Sequence, residues 1–309
     1  MQLKKPLFWD FKKPNLYANF LRIFSIFPIV YNKLFINKVV INNLKTICVG
    51  NIYLGGTGKT PTCIYINQKI KNSNNKTAFI KKFYKDQIDE QNLLKKNGNL
   101  ICSSSRIKAA NIAKSKRVDL AIFDDGLQDK NIDYDIKIAC FNSKSLIGNG
   151  LVLPAGPLRE QIKNIKNYDA AIINGNGENI SKFKKYLKSI DKNLRIFEGR
   201  YLPDKKVKKL QKKKFIAFSG IGNHFSFLDT LNNNNIKILK HFQFPDHYNY
   251  EDKDISLIKK QAKILNCKII TTEKDYFRLN IKNKKNIEYL KIKIKIKKEK
   301  EFINFLKKI

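Results

Sequence analysis

The stretch Gly50-Asn51-Ile52-Tyr53-Leu54-Gly55-Gly56-Thr57-Gly58-Lys59-Thr60-Pro61 constrains this chain more than any other part of it. The apolar run 46–49 before it reads as a buried strand, and residues 62–70 after it read as a helix. Strand, glycine loop, helix is the setting of a phosphate-cradling loop. The glycines let backbone N–H groups turn inward around an anion, and the helix N-terminus adds partial positive charge. In such a loop Gly55, Gly56, Thr57 and Gly58 line the phosphates, Lys59 reaches the β- and γ-phosphates, and the Thr60 hydroxyl faces Mg2+. Pro61 suits the first helical turn, where its missing N–H costs nothing. One position departs from the strict G-x-x-x-x-G-K-[ST] spacing: Tyr53 stands where that pattern has glycine.

Apolar runs and helix-like segments alternate around this loop. Strands are expected at 77–80, 100–102, 118–123, 135–141 and 170–174, with helices at 93–97, 106–114 (capped from Ser103 to Ser105) and near 162–168. The run 118–123 ends in Asp124-Asp125-Gly126-Leu127-Gln128. Acidic residues at the carboxyl end of a parallel strand are where a P-loop enzyme holds Mg2+. Residues 175–214 are lysine-rich and weakly patterned, with a connecting strand at 195–202 and a solvated turn at 205–214. Strands at 215–218, 236–242 and 268–272 and helices at 225–231, 255–265 and 302–309 follow. Residues 289–296 alternate lysine with apolar residues, which fits one edge strand protected by charge. The pattern predicts an α/β fold: two α/β/α domains with mainly parallel sheets, the first P-loop NTPase-like.

The formal net charge of +36 admits nucleic acid, an anionic membrane surface or a phosphorylated substrate as partner. Lysine, asparagine and isoleucine are spread through every segment, so much of that charge reads as solvated surface. No block interleaves aromatic and basic residues as a nucleic-acid platform does, which argues against nucleic acid. Cys48, Cys63, Cys102, Cys140 and Cys267 form no C-x-x-C pair and read as small buried thiols of a reducing compartment. Residues 16–36 are rich in large apolar groups, with Arg22 and Lys33 near the ends and Pro28 in the middle. That pattern suits a helix lying in a membrane interface better than one crossing it.

Six elements in order now resemble one family, the tetraacyldisaccharide 4'-kinases (lipid A 4'-kinases) of Gram-negative bacteria. They are Val49-Gly50-Asn51 with Gly55 to Pro61, Asp124 to Gln128, Leu153-Pro154-Ala155-Gly156-Pro157-Leu158-Arg159-Glu160, Ser219-Gly220-Ile221-Gly222-Asn223, Phe244-Pro245-Asp246-His247-Tyr248 and Thr271-Thr272-Glu273-Lys274-Asp275. The family similarly lacks the glycine that Tyr53 replaces. The resemblance implies transfer of the ATP γ-phosphoryl group to the 4'-hydroxyl of a tetraacylated disaccharide 1-phosphate, giving lipid IVA. It implies Mg2+, an N-terminal membrane helix, and an active site in the cleft between two domains joined by a strand linker. It also implies a monomer on an anionic membrane surface, at the cytoplasmic face of the bacterial inner membrane. The expected division is a membrane-associated segment 1–40, a P-loop kinase domain 41–200 and a smaller α/β domain 201–309, whose last helix is free to return to the first domain.

By the same resemblance, Lys59 and Thr60 hold phosphate and metal, Asp124 and Asp125 serve Mg2+ and its water shell, Glu160 adds to the metal site, and Arg159 contacts phosphate or substrate. Asp89 is the base acting on the sugar hydroxyl, and His247 pairs with it and tunes its proton affinity. An alcohol needs its proton accepted as phosphoryl transfer proceeds. His224 and His241 stay structural. Three departures stand out: Lys81-Lys82-Phe83-Tyr84 replaces an Arg-Gly-Tyr-Gly element with a shortened loop after it, Ile88 and Gln91 flank Asp89-Glu90 in place of Gly and Pro, and Asp129 replaces a histidine. A membrane-associated P-loop ATPase or GTPase switch is the competing reading. The absence of an Asn-Lys-x-Asp element weakens its GTPase form.

Overall fold

The short apolar runs at the centre of the larger sheet form strands bounded by turn residues and buried on both faces, as in a parallel sheet. The structure is a computed structural model that describes residues 5–25, 39–70, 76–129, 131–222, 224–246 and 248–309. Its strands are β1 (Val39–Val40), β2 (Lys45–Gly50), β3 (Thr77–Lys82), β4 (Leu100–Ser103), β5 (Leu120–Asp124), β6 (Ile132–Asp133), β7 (Ile136–Asn142), β8 (Ala170–Asn174), β9 (Arg195–Pro203), β10 (Lys214–Ser219), β11 (Lys237–Gln243), β12 (Lys268–Thr272), β13 (Ile287–Leu290) and β14 (Ile292–Ile296). Its helices are α1 (Leu16–Leu21), α2 (Lys59–Ile70), α3 (Ile88–Asn97), α4 (Arg106–Ser115), α5 (Ile180–Ile190), α6 (His224–Asn232), α7 (Asp252–Ile264), α8 (Glu273–Arg278), α9 (Ile281–Lys284) and α10 (Glu299–Leu306).

The chain divides into two compact units. One holds the described residues from 5 to 83, Asn97–Arg200 and Ile294–Ile309; the other holds Tyr84–Lys96 and Tyr201–Lys293. The larger unit is built on an eight-stranded sheet in the order β14-β9-β8-β7-β2-β5-β3-β4. Its pairs from β9 through to β4 are parallel. Central β2 lies between β5 and β7, so strand order reverses beside it, and ligands bind outside the carboxyl ends of strands at such a switch point. Phe123 and Phe141 of β5 and β7 fill the core, edge-on to Tyr134 and Phe183 at ring distances of 4.9 and 5.1 Å. At the sheet's other end, α10 sets Phe302 on Phe197 at 4.9 Å.

The smaller unit holds a four-stranded parallel sheet, β11-β10-β12-β13. Strand periodicity sends Phe215 and Ala217 of β10 into one apolar cluster and Ile216 and Phe218 into another. Exposed β11 closes one edge with Lys237, Lys240 and His241, a charged edge that resists further pairing.

Several expectations need correction. The alternating stretch 289–296 is not one edge strand: it breaks at Lys291 into β13, at the edge of the small sheet, and β14, at the edge of the large one. The weakly patterned 175–214 contains α5, whose buried Phe183 and Leu187 lie four residues apart on one helical face. Residues 162–167 form a 3-10 helix, and 205–209 another. Residues 16–36 were expected as one interfacial helix; α1 ends at Leu21 and turns follow to Ser25, while 26–38 lie outside the described residues. Asn15 caps α1 by accepting from Ala18 N at 2.9 Å, and Ser25 donates to Val152 O at 2.9 Å. No helix among the described residues is long and apolar enough to cross a membrane. All five cysteines are free; Cys48, Cys63 and Cys140 are buried, whereas Cys102 and Cys267 are only partly so.

Candidate functional site

The glycine loop leaves β2 at Gly50 and enters α2 at Lys59. Gly55 and Gly58 have φ of 133° and 86°, a region that residues bearing a Cβ rarely adopt. Asparagines brace the turn from outside. Asn51 Nδ2 donates to Tyr53 O at 2.5 Å and Gly55 O at 3.2 Å. Asn174 Nδ2, at the end of β8, donates to Thr57 O at 2.8 Å, and Asn142, at the end of β7, reaches Gly56 O at 3.4 Å. The carbonyls of the turn are thereby engaged, the arrangement in which amide N–H groups are left to an anion. A Cβ on Gly56 would meet nothing within 4 Å. Thr57 Oγ1 is buried and, among the described residues, lacks a hydrogen-bond partner. An orphaned donor and an uncrowded glycine are what a phosphate-binding turn presents.

The stretch 152–160 is the loop's second brace. Tyr53 and Leu158 form an isolated antiparallel bridge. Leu54 N donates to Pro157 O at 2.8 Å, and Arg159 N to Ile52 O at 2.7 Å. Tyr53, in place of a glycine, is buried and donates from its hydroxyl to Asp10 at 2.9 Å. Burial first, then the Asp10 carboxylate, push its phenol up. The bridge carries Arg159 to Asp125, whose two carboxylate oxygens it meets at 3.0 and 3.2 Å.

Asp124 ends β5, in register with Val49 of β2. Thr60 Oγ1 donates to Asp124 Oδ2 at 3.0 Å. Lys81 Nζ lies 3.1 Å from the same oxygen, with the two side chains 2% and 0% exposed. Lys59 Nζ donates to Asn51 Oδ1 at 3.0 Å and lies 3.4 Å from Asp125 Oδ2. Asp125 adopts a left-handed φ of 66°. Its N–H donates to Val49 O at 2.9 Å, and Arg106 donates to its carbonyl while pairing with Asp129 at 3.2 Å. Burial opposes the Asp125 charge, but Lys59, Arg159, Lys81 and Arg106 outweigh it and hold the carboxyl below its usual range. Glu160 joins this network through Gln128, which donates to it at 2.9 Å and accepts from Arg159 at 3.2 Å; Tyr168 and Asn164 donate to Glu160 at 2.5 and 2.9 Å.

The donor set suits Mg2+, which takes hard oxygens from one or two side chains and the rest from phosphate and water. Thr60 and Asp124 supply such oxygens side by side. Among the described residues no group of three or more His, Cys, Asp or Glu could hold a metal alone.

In the smaller unit, Asp89 and Glu90 lie in the first turn of α3, both buried. Arg278 Nη2 donates to Asp89 Oδ2 at 2.7 Å, and Lys274 Nζ to Glu90 Oε1 at 2.5 Å. Burial works against the Arg278 charge, yet Asp89 and Asp275 hold the guanidinium more firmly protonated than usual. His247, expected beside Asp89, lies outside the described residues. His224 and His241 pair with each other, Nε2 to Nδ1 at 3.1 Å, and Ser219 Oγ meets His224 Nδ1 at 2.7 Å.

Thus Lys59, Thr60, Asp124, Asp125 and Arg159 come together in the larger unit with Glu160 one residue removed, and Asp89 belongs to the smaller unit. Sequence reasoning named Lys81 only as a departure, and passed over Arg106 and Arg278. A signal for Lys81 existed: of two adjacent lysines ending a buried strand, one must point inward, and an inward charge needs a partner.

A family model described as LpxK, tetraacyldisaccharide-1-P 4'-kinase, matches residues 18–309. The tetraacyldisaccharide 4'-kinase of Pelagibacter ubique (strain HTCC1062) is 47% identical over 310 residues, 100% of this chain and 99% of the relative. That of Rickettsia typhi is 33% identical, covering 93% of each. Among solved structures, LpxK from Aquifex aeolicus in complex with ATP superposes with a TM-score of 0.70 at 23% identity, over 94% of this chain and 98% of that one.

Proposed function

This chain belongs to the tetraacyldisaccharide-1-P 4'-kinase family, and on that premise we propose that its glycine loop binds ATP and its γ-phosphoryl group passes to the 4'-hydroxyl of an acylated disaccharide 1-phosphate. The observation that carries the reading is the juxtaposition of Lys59, Thr60 and Asp124 at the switch point of the large sheet. Such a transfer needs little covalent help from protein; it needs position and charge neutralisation.

Lys59 exchanges Asn51 and Asp125 for phosphate oxygens. Arg159 adds positive charge beside it. Thr60 and Asp124 would hold Mg2+, which would screen the phosphate oxygens when bound. Asp125 keeps Arg159 and Lys59 aligned and, with Glu160 behind Gln128, would serve the water shell of that ion. Asp89 receives the proton of the acceptor hydroxyl, with His247 as its partner; the family resemblance supports both roles. A monomer on the anionic cytoplasmic face of the inner membrane meets its acylated substrate there, the exposed apolar residues of the N-terminal stretch and the positive surface both suiting that location.

The test is 4'-phosphorylation of the disaccharide 1-phosphate in detergent. Turnover should require Mg-ATP, and Lys59→Ala should lose at least about 100-fold in kcat while remaining folded. ATP hydrolysis that proceeds equally without the glycolipid would instead favour a nucleotide switch.

A further inference from the structure

The segment Thr271-Thr272-Glu273-Lys274-Asp275 stands out in the sequence, and the kinase reading gives it no work. It ends β12 and opens α8. Three side chains from α8 meet α3 along its length. Arg278 reaches Asp89 at 2.7 Å and Lys274 reaches Glu90 at 2.5 Å, both in the first turn. Glu273 accepts from Lys96, in the last turn, at 3.1 Å.

Asp275 works behind them. Its Oδ1 accepts from Gly220 N at 3.0 Å, Tyr250 Oη at 2.9 Å and Arg278 Nη1 at 3.0 Å, and its Oδ2 from Thr272 Oγ1 at 2.6 Å. Arg278 Nη1 also donates to Gly220 O at 2.6 Å. One guanidinium nitrogen, Nη1, is therefore held twice, and Nη2 is presented to Asp89. A fork held this way has little freedom left, which an ammonium would keep.

We propose that the 271–275 turn and Arg278 form a dock that seats α3 and fixes the direction of the Asp89 carboxylate, making Arg278 a positioning residue for Asp89. The positioning role rests on the reading of Asp89 as proton acceptor; the dock does not. Two observations favour it over incidental surface pairing. The Arg278 and Asp89 side chains are 6% and 0% exposed, where an ion pair is not screened by water. And α3 belongs to the smaller unit although β3 and β4, the strands before and after it, belong to the larger, so its sequence neighbours do not decide which unit it joins.

The experiment compares Arg278→Met, Arg278→Lys and the charge-exchanged pair Glu90→Lys with Lys274→Glu, by hydrogen exchange over residues 88–97 and by steady-state kinetics. Arg278→Met should lose amide protection across 88–97 and drop kcat about 100-fold, as a displaced reacting group does, with KM for ATP unchanged. Arg278→Lys should recover part of both. The exchanged pair should be better protected than either single variant. Unchanged protection in Arg278→Met, or an exchanged pair no better than its singles, overturns the dock. If Arg278→Met proves unfolded, the exchanged pair decides alone. Lost protection together with near-normal turnover of Asp89→Asn would leave the dock standing and remove Asp89 from the chemistry.

Discussion

Lys81 illustrates how one side chain sets the state of the nucleotide site. An ammonium with a 2% exposed side chain is costly unless paired, and Asp124, wholly buried, carries the same cost with opposite sign. Each makes the other tolerable, and the pair fixes Asp124 beside Thr60. Lys81→Met should therefore cost about 3–5 kcal/mol in urea unfolding, because it leaves a buried carboxylate without its cation. A cost near zero would mean that the pair contributes nothing net to stability. His224 gives a pH-dependent counterpart. Burial first, then the neighbouring His241, lower its pKa from 6.5 to about 4. The folded state thus holds it neutral while the unfolded chain protonates near pH 6.5, so stability falls as pH drops from about 6.5 to about 4 and is flat above. Among the described residues, Ser219 at the Nδ1 face and His241 at the Nε2 face are its hydrogen-bond partners. His224→Gln should flatten the Tm-versus-pH curve across that window; an unaltered slope would assign the acid sensitivity elsewhere.

At the scale of elements, the phosphate loop is only as well placed as the segment that braces it. Gly156 lies at the turn of that brace, where a Cβ would come within 2.2 Å of Asn149 Oδ1 and 2.4 Å of Leu151 O. Backbone cannot yield as a flexible side chain does. Gly156→Ala should cost about 1–3 kcal/mol in thermal unfolding and raise KM for ATP, since the bridge from Leu158 to Tyr53 shifts with it. Loss of stability with an unchanged KM would uncouple brace from loop. The same element shows what sequence can and cannot display. The loop, β2 and β5 were legible because glycines, a Gly-Lys-Thr run and two acids at a strand end have local causes. The division of 289–296 was not: lysine and apolar residues alternate on both sides of Lys291, and the sheet each half joins is decided by partners distant in sequence. Helix α5 was legible in principle from Phe183 and Leu187, but the lysines around them mask the period. Arg278 was beyond reach, since nothing near it in the chain reveals that Asp89, 189 residues away, is its partner.

At the scale of the molecule, the proposed membrane encounter would draw on both the +36 charge and the apolar N-terminal stretch. Leu16, Tyr17, Phe20, Ile23 and Phe24 are more than half exposed, while Ala18 and Ser25 are buried and anchor the stretch. Side chains so placed add little to folding and are available to an acyl-chain boundary. On that proposal the charge would draw the protein to anionic headgroups at about 1 kcal/mol per lysine near the surface, an attraction that salt screens. The two contributions separate experimentally. Binding to phosphatidylglycerol vesicles should weaken with salt but leave a residue of apolar binding, and binding to neutral vesicles should be weak and insensitive to salt. Phe20→Ser combined with Ile23→Ser should abolish the salt-resistant part without lowering Tm, because neither side chain is in the core. If the double variant partitions as the parent does, charge alone holds the protein at the surface. If duplex DNA competes better than anionic vesicles in low salt, the positive surface answers to phosphate density and not to lipid.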